Sequence, residues 1–418
     1  MNSSSMMAAQ ALFVTVLVIF GTGTVLSKIA GRIHVPDVVL FLLGGMVLGP
    51  SVLGWVRIAQ SSTLDQVIVL FGASLILLHG GTITTFVNLR KVWLTVSLLS
   101  TVGVVITAGV VALAAHWIAG LPYAISFLLG ALLASTDPAA LIPIFQRLPI
   151  RQRVVDTVIS ESAFTDATGA ILTILVLTVI DAHGGISAGV AIVGFLRLAI
   201  GGILVGSVVG IVAAFLIAEH DKAMFREYTP MILAMAVLAG YAIAQWLGAS
   251  GFMSVFVTGL MIGNAKSLRL PIHAREQQAI HDFIDPLELK LRMLIFVLLG
   301  SQVNVARLLP DLVPAVLVVL VFMFVARPLT VLGCVLPDRR ARFTASEVLF
   351  FFWVRETGVI AAALVGILAG DHILDSDVLV SITFVAILMT LLIQASTTPF
   401  VAKTLRLESE PVEQSVDP

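Results

Sequence analysis

Windows of about 20 residues with almost no charge recur along this chain at short intervals, and they leave few folds open. They fall near 8–27, 35–54, 65–83, 92–118, 122–146, 154–180, 188–218, 228–247, 250–264, 278–302, 310–335, 344–369 and 376–401. In hydrocarbon every backbone N–H and C=O has to be bonded within the protein, so such runs cross as helices. Charged residues make up 12% of the 418, against about 25% in a soluble domain, so little mass lies outside the bilayer. The expected fold is therefore an all-α polytopic membrane protein of about 13 transmembrane helices. A membrane domain spans 1–402, and a short acidic tail follows at 403–418. The first window lacks the basic n-region of a signal peptide and leads directly into another span, so it reads as a retained helix. The lone Cys334 excludes an internal disulfide or a thiolate metal site. No basic stripe interleaved with aromatics is present, which argues against a nucleic-acid partner.

Basic residues alternate between the two sets of connections. Seventeen Lys and Arg, from Lys28 and Arg32 through to Lys403 and Arg406, fall on one set, and only Arg57 and Arg307 on the other. Positive-inside bias then places the C-terminus in the cytoplasm and the N-terminus outside the cell membrane. A missed or extra span would scramble this alternation, so it also supports the count.

Against that apolar background, charges within the spans stand out. Ser135-Thr136-Asp137-Pro138 and Glu161-Ser162-Ala163-Phe164-Thr165-Asp166 put carboxylates and hydroxyls in the middle of consecutive spans. An ionisable side chain at membrane depth costs about 2.5 kcal/mol or more on insertion scales and marks a function by default. Pro138 disfavours helix at the residue before it and removes a backbone donor, so a break is expected near 136–138. Freed helix ends at such a break are tolerated where they line a cavity, and there they can hold ions. Asp137 either binds an ion or caps a half-helix; its sequence context leaves both open. Ser162 and Asp166 share one helical face, and Glu161 and Thr165 the neighbouring one. Oxygen ligands of this kind suit hard cations. Two central arginines, Arg327 and Arg355, are too few to neutralise Asp137, Glu161, Asp166 and Glu356 together. The run Arg355-Glu356-Thr357-Gly358 interrupts a later span in the same manner, predicting a second break near 355–358. Spans 92–180 and 310–401 are each triplets with the interrupted member second, entering from opposite sides, as in an inverted-topology repeat.

With these segments in place, the chain resembles the monovalent cation:proton antiporter superfamily, on its NhaP-like sodium/proton exchanger branch. The resemblance rests on Leu43-Gly44-Gly45-Met46-Val47-Leu48-Gly49-Pro50, on Ser135-Thr136-Asp137-Pro138-Ala139-Ala140 and on Glu161 to Asp166. Leu294 to Gly300 and Ala326-Arg327-Pro328-Leu329 extend it across nearly the whole chain. The resemblance implies a secondary transporter, not an enzyme, in which cation and proton compete for Asp166. Asp137, Thr136, Ser162 and Thr165 would lie close by, and Glu161 would form a structural ion pair with Arg327. It also implies a homodimer whose core bundle, about 92–180 and 310–401, moves against dimerisation helices. Apart from the transported Na⁺ or K⁺ and H⁺, no cofactor is expected. Thr165 stands where the family has Asn; a carboxylate there marks the electrogenic branch, so Thr implies electroneutral exchange. His79 replaces a glutamate common on the third helix, and as a group that titrates near neutrality it either modulates the pH response or bonds within the core. Arg355-Glu356 departs from a Gly-rich pattern, which leaves the choice among Na⁺, K⁺ and Li⁺ open. A cation channel and an intramembrane aspartyl protease are the alternatives from other classes. No Thr-Val-Gly-Tyr-Gly-type filter is present, and the hydroxyl-rich surroundings of the aspartates favour ion coordination.

Overall fold

A computed structural model describes residues 3–33, 35–58, 62–137, 141–142, 145, 148, 150–181, 188–218, 225–370 and 376–407. Pro138, the loop residues Arg147 and Lys222, and the tail from 408 onward lie outside the described residues. In chain order the helices are α1 (Ser3–Ile33), α2 (Asp37–Leu48), α3 (Thr63–Ile83), α4 (Phe86–Ala119), α5 (Tyr123–Leu133), α6 (Gln152–Asp181) and α7 (Ala188–Ile217). They continue as α8 (Thr229–Trp246), α9 (Gly251–Gly263), α10 (Ala274–Gln302), α11 (Val305–Val335), α12 (Ala345–Trp353), α13 (Val359–Gly370) and α14 (Asp377–Thr404). Eight of the described helices are long and apolar enough to cross a membrane unaided. With the shorter α2, α5 and α9, the charged α10, and α12 joined to α13 as one interrupted span, they make thirteen crossing segments.

Several helices run past the apolar windows that announce them. α1 continues to Ile33 and so takes in Lys28 and Arg32; α4 starts at Phe86 and takes in Arg90 and Lys91. Local chemistry sets these ends. The Thr85 hydroxyl accepts the Asn88 N–H at 3.3 Å, and Phe86 N–H donates to Asn264 Oδ1 at 2.7 Å, which starts the helix early. α3 and α9 begin in the same way on Ser62 and Ser250. A capping box of Thr344 and Glu347 opens α12.

The helices pack as two groups. α1, α2, α3, α7, α8, α9 and α10 form one, in which α1 lies against α2, α9 against α3 and α7, and α10 against α2. α4, α5, α6, α11, α12, α13 and α14 form the other, with α4 against α5 and α11, and α13 against α14 and across to α3. Lipid tails are as apolar as leucine, so close backbone approach and hydrogen bonds drive this packing rather than expulsion of water. α2 and α10 show it directly. A Cβ on Gly45 would strike the Val297 carbonyl, and one on Gly300 would strike the Leu42 carbonyl, so the two backbones touch where only hydrogen fits.

Within the second group, α4–α5–α6 and α11–α12/α13–α14 repeat one plan. Each begins with a long helix carrying one π-helical segment, Leu99–Gly103 in α4 and Phe322–Ala326 in α11. Each then breaks its second member and ends on an unbroken span. The opening helices of the two repeats meet through Thr107 and Thr330, whose hydroxyls lie 2.9 Å apart.

Candidate functional site

The two interrupted spans cross where their helices stop. α5 ends at Leu133 and the chain is non-helical through Asp137; α12 ends at Trp353 and α13 resumes at Val359. Asp137 N–H donates to the Glu356 carbonyl at 2.9 Å, which joins the two extended stretches. The Asp137 carboxylate accepts the N–H of Val359, the first residue of α13, at 3.1 Å. In the other direction, the Arg355 guanidinium donates to the carbonyls of Leu133 (3.2 Å) and Ala134 (2.9 Å) at the end of α5. A helix end leaves orphan N–H or C=O groups and a partial charge, positive at the start and negative at the finish. A carboxylate at a start and a guanidinium at an end meet both needs. Each break is thus closed by a side chain from the other. Gly358 makes the approach possible, because a Cβ there would overlap the Asp137 side chain.

α6 passes beside this crossing. Ser135 Oγ–H donates to Asp166 Oδ1, and Ser162 Oγ–H donates to the Thr136 carbonyl at 2.5 Å. The hydroxyls of Thr136 and Thr165 share a 2.7 Å bond, and Thr165 also donates to the Ser162 carbonyl at 3.0 Å. All of these residues are buried. Helical spacing grouped Ser162 with Asp166, but the hydroxyl that reaches Asp166 is that of Ser135, and Ser162 is turned to the backbone of the break. Ser135 belongs to the same polar run, and nothing in that run singles it out, because its direction depends on how the non-helical stretch lies against α6. Among the described residues Asp166 has no basic side chain within ion-pair distance.

Glu161 meets a different fate on the neighbouring face. Both its carboxylate oxygens accept from Arg327, through Nη1 and through Nη2 at 3.0 Å. The same guanidinium donates from Nε to the Phe351 carbonyl at 2.7 Å and from Nη2 to the Val354 carbonyl at 2.9 Å. Arg327 therefore closes the end of α12 as Arg355 closes the end of α5. Arg355, with no carboxylate at ion-pair distance among the described residues, stacks its guanidinium carbon 5.0 Å from the Phe322 ring centre.

His79 belongs to another cluster. It bonds Glu288 through Nδ1 and lies 3.5 Å from Asp285 through Nε2, both on α10, and Arg292 bonds Glu288 in turn. Glu288 and Arg292 are a helical i, i+4 pair, and that spacing was the available signal for their contact. Among the described residues, no group of three or more His, Cys, Asp and Glu side chains is arranged to hold a metal ion. Around Asp166 the donors are one carboxylate, hydroxyls and backbone carbonyls, a set suited to a monovalent ion or a proton.

The family described as sodium/hydrogen exchanger, transmembrane, matches residues 13–404. The chain is 33% identical over 409 residues to the K⁺/H⁺ antiporter NhaP of Alkalimonas amylolytica, covering 96% of this chain and 68% of that protein. It is 31% identical over 419 residues to Na⁺/H⁺ antiporter 1 of Methanocaldococcus jannaschii, covering 93% and 94%. The solved structure of the sodium proton antiporter MjNhaP1 from M. jannaschii at pH 8 superimposes with a TM-score of 0.84 at 27% identity, over 95% of this chain and 99% of that one. The chain belongs to the sodium/hydrogen exchanger family: it is a multi-pass membrane protein and a secondary cation/proton antiporter, not an enzyme.

Proposed function

We propose that the protein exchanges Na⁺ for H⁺ one for one, with both ions competing for Asp166. One observation carries the reading. Of the two acids on α6 at the crossing, Glu161 is matched by Arg327, whereas Asp166 has only the Ser135 hydroxyl as a partner among the described residues. A carboxylate buried at membrane depth without a counterion is costly when ionised. It is stable when carrying a proton or holding a cation, and those two states are the two loaded forms of an exchanger. The bundle reorients with Asp166 occupied by one or the other, so empty, charged Asp166 does not cross and the two fluxes are coupled. Thr136, Ser162, Thr165 and Asp137 complete the oxygen-rich surroundings. Uncharged Thr165 beside Asp166 supports an electroneutral cycle.

The loop charges support a cytoplasmic C-terminus in the cell membrane, and with that orientation Na⁺ is taken from the cytoplasm in exchange for external protons. The second group of helices is the moving core in this reading, and the first holds the dimer contacts. Large apolar residues exposed on α7, such as Val193, Leu204 and Val208, give faces that lipid or a second copy would cover. His79, held by Glu288 and Asp285, acts as a modulator of the pH response. A potassium/proton exchanger is the second reading, favoured by the name of the Alkalimonas relative.

Purified protein in liposomes with an entrapped pH dye tests these points. Na⁺ is expected to dequench the dye more strongly than K⁺ or Li⁺, and Asp166→Asn to abolish dequenching by every cation. Exchange that survives Asp166→Asn ends the assignment of that residue; a larger response to K⁺ replaces the substrate. Crosslinking in the membrane tests the dimer.

A further inference from the structure

Glu356 is the charge-bearing side chain at the crossing that the exchange cycle leaves without a task. It is 2% exposed, and neither carboxylate oxygen has a hydrogen-bond partner among the described protein atoms. Its backbone carbonyl accepts the Asp137 N–H. An acid this deep is a standing cost unless it does something, since an apolar residue of similar size would fill the same space.

Its side chain lines a small cavity of about 10 Å³, together with Thr136, Asp137, Ser162, Arg327 and Arg355. That volume is about the minimum that holds one water molecule. The cavity has a defined place along the transport axis. Its α6 walls are Val158, Glu161 and Ser162, a turn or more before Asp166. α6 and α12 begin on one face of the protein, where Arg153 pairs with Glu347. The cavity therefore lies between Asp166 and that face, which the reading above assigns to the cytoplasm.

The charges around Glu356 come from every neighbouring element. Asp137 is on the other break, Arg355 is adjacent in sequence, and Glu161 and Arg327 stand on α6 and α11. Neither arginine donates to Glu356, although Arg355 Nε has no partner among the described residues. Arg327 is shared among Glu161 and two carbonyls, and Arg355 holds the carbonyls that end α5. Asp137 lines the same cavity and bonds the Glu356 carbonyl, and Ser135, two residues before it, bonds Asp166, so the three carboxyl groups stand at one crossing.

We propose that Glu356 is a proton-relay carboxyl, the station through which Asp166 exchanges its proton with the cytoplasmic face. The inference rests on Asp166 being the exchanging carboxylate. At rest Glu356 holds a proton and is neutral. Once the site faces the cytoplasm, Glu356 passes that proton to water at the cavity mouth, and the Asp166 proton moves through one cavity water onto the vacated Glu356 oxygen. Asp166 is left as a carboxylate that takes the cation, and Glu356 is again protonated. One proton has left and one cation has entered, so the relay adds no charge to the cycle. The cation needs no such station, because it binds Asp166 directly.

This separation makes the test. Two fluxes are measured in proteoliposomes: Na⁺-driven proton movement, and ²²Na⁺/Na⁺ self-exchange, which loads and unloads Asp166 without a proton. For Glu356→Gln, proton-coupled exchange is expected to fall by roughly tenfold or more, within the range of a positioned proton-transfer group, while self-exchange stays near wild type. Glu356→Asp keeps the carboxyl and is expected to recover most of the proton-coupled rate. Equal loss of both fluxes in Glu356→Gln that elutes as folded protein overturns the relay and makes Glu356 part of the cation site. Unchanged fluxes in Glu356→Gln overturn it as well. If that variant does not fold, Glu356→Asp decides: equal loss of both fluxes overturns the relay, and a loss confined to proton-coupled flux supports it. Absence of Na⁺-driven proton movement in the wild type would refute the exchange reading itself, which is a distinct result.

Discussion

Arg327 carries four hydrogen bonds while 1% exposed, and breaking its pair with Glu161 gives the sharpest test of what holds the crossing together. Glu161→Gln keeps the shape of the side chain and one acceptor but removes the negative charge. The guanidinium then stays buried against two carbonyls with no counterion, and losing one partner of a buried pair costs about 3–5 kcal/mol. Arg327→Met strands the Glu161 carboxylate by the same logic and also orphans the Phe351 and Val354 carbonyls, at about 1–3 kcal/mol each. The double variant buries no unpaired charge and retains only the carbonyl cost. It should therefore melt above the Arg327→Met single, with at least about 2 kcal/mol of coupling between the two sites. At about 2.1 cal/mol/K of unfolding entropy per residue, the 418 residues convert each kcal/mol to roughly 1 °C. That conversion is a floor, because helices that persist in detergent lower the entropy change. Glu161→Gln should thus lower the melting temperature by at least about 3–5 °C, read by tryptophan fluorescence at one fixed scan rate, since unfolding of such a protein is expected to be irreversible. Single shifts that simply add in the double variant would show that the two charges do not support one another, and the structural role of the pair would fall.

Other perturbations follow from the same geometry. Ser135→Ala removes a donor that favours ionised Asp166; a hydrogen bond to a charged group contributes about 1.5–3 kcal/mol. The proton is then held to higher pH, so the pH of half-maximal exchange should rise by about 1–2 units, and a profile that stays put or moves down refutes the contact. Gly358→Ala forces a methyl into Asp137 and should abolish exchange and lower the melting temperature, whereas full activity would mean that the two breaks have room to separate. His79→Gln removes a titrating ring from Glu288 and Asp285; it should alter the acidic limb of the exchange profile and spare the alkaline limb, and an unchanged acidic limb would leave His79 as a packing residue.

Much of the architecture is readable from hydropathy because the bilayer enforces it. Thirteen apolar windows correspond to thirteen crossing segments, and Pro138 and Gly358 mark the two breaks. What escapes is set by contacts between distant parts of the chain. The early start of α4 depends on Asn264 reaching Phe86, and no window around 92–118 contains that partner. Arg355 looks like a counterion when read as a charge in an apolar span; in the fold it satisfies backbone carbonyls of Leu133 and Ala134 instead. Ser162 sits at the right helical spacing for Asp166, yet the rotation of α6 against the non-helical stretch gives that contact to Ser135. Composition and spacing identify which side chains are expensive. Which of them compensates which depends on the register of segments that meet only in three dimensions.

The mutual closure of the two breaks also has a bearing on how the protein is made. Asp137 and the carbonyls of Leu133 and Ala134 find their partners on a segment roughly 220 residues downstream, which at about 5–20 residues/s takes about 10–45 s to synthesise. During that interval the first repeat has an interrupted helix in or beside the bilayer with its ends unanswered. Its insertion is therefore provisional until the second repeat emerges, and the two halves should mature as one event. Two separately synthesised halves, divided in the connection after α7, should consequently be short-lived alone and stable when made together.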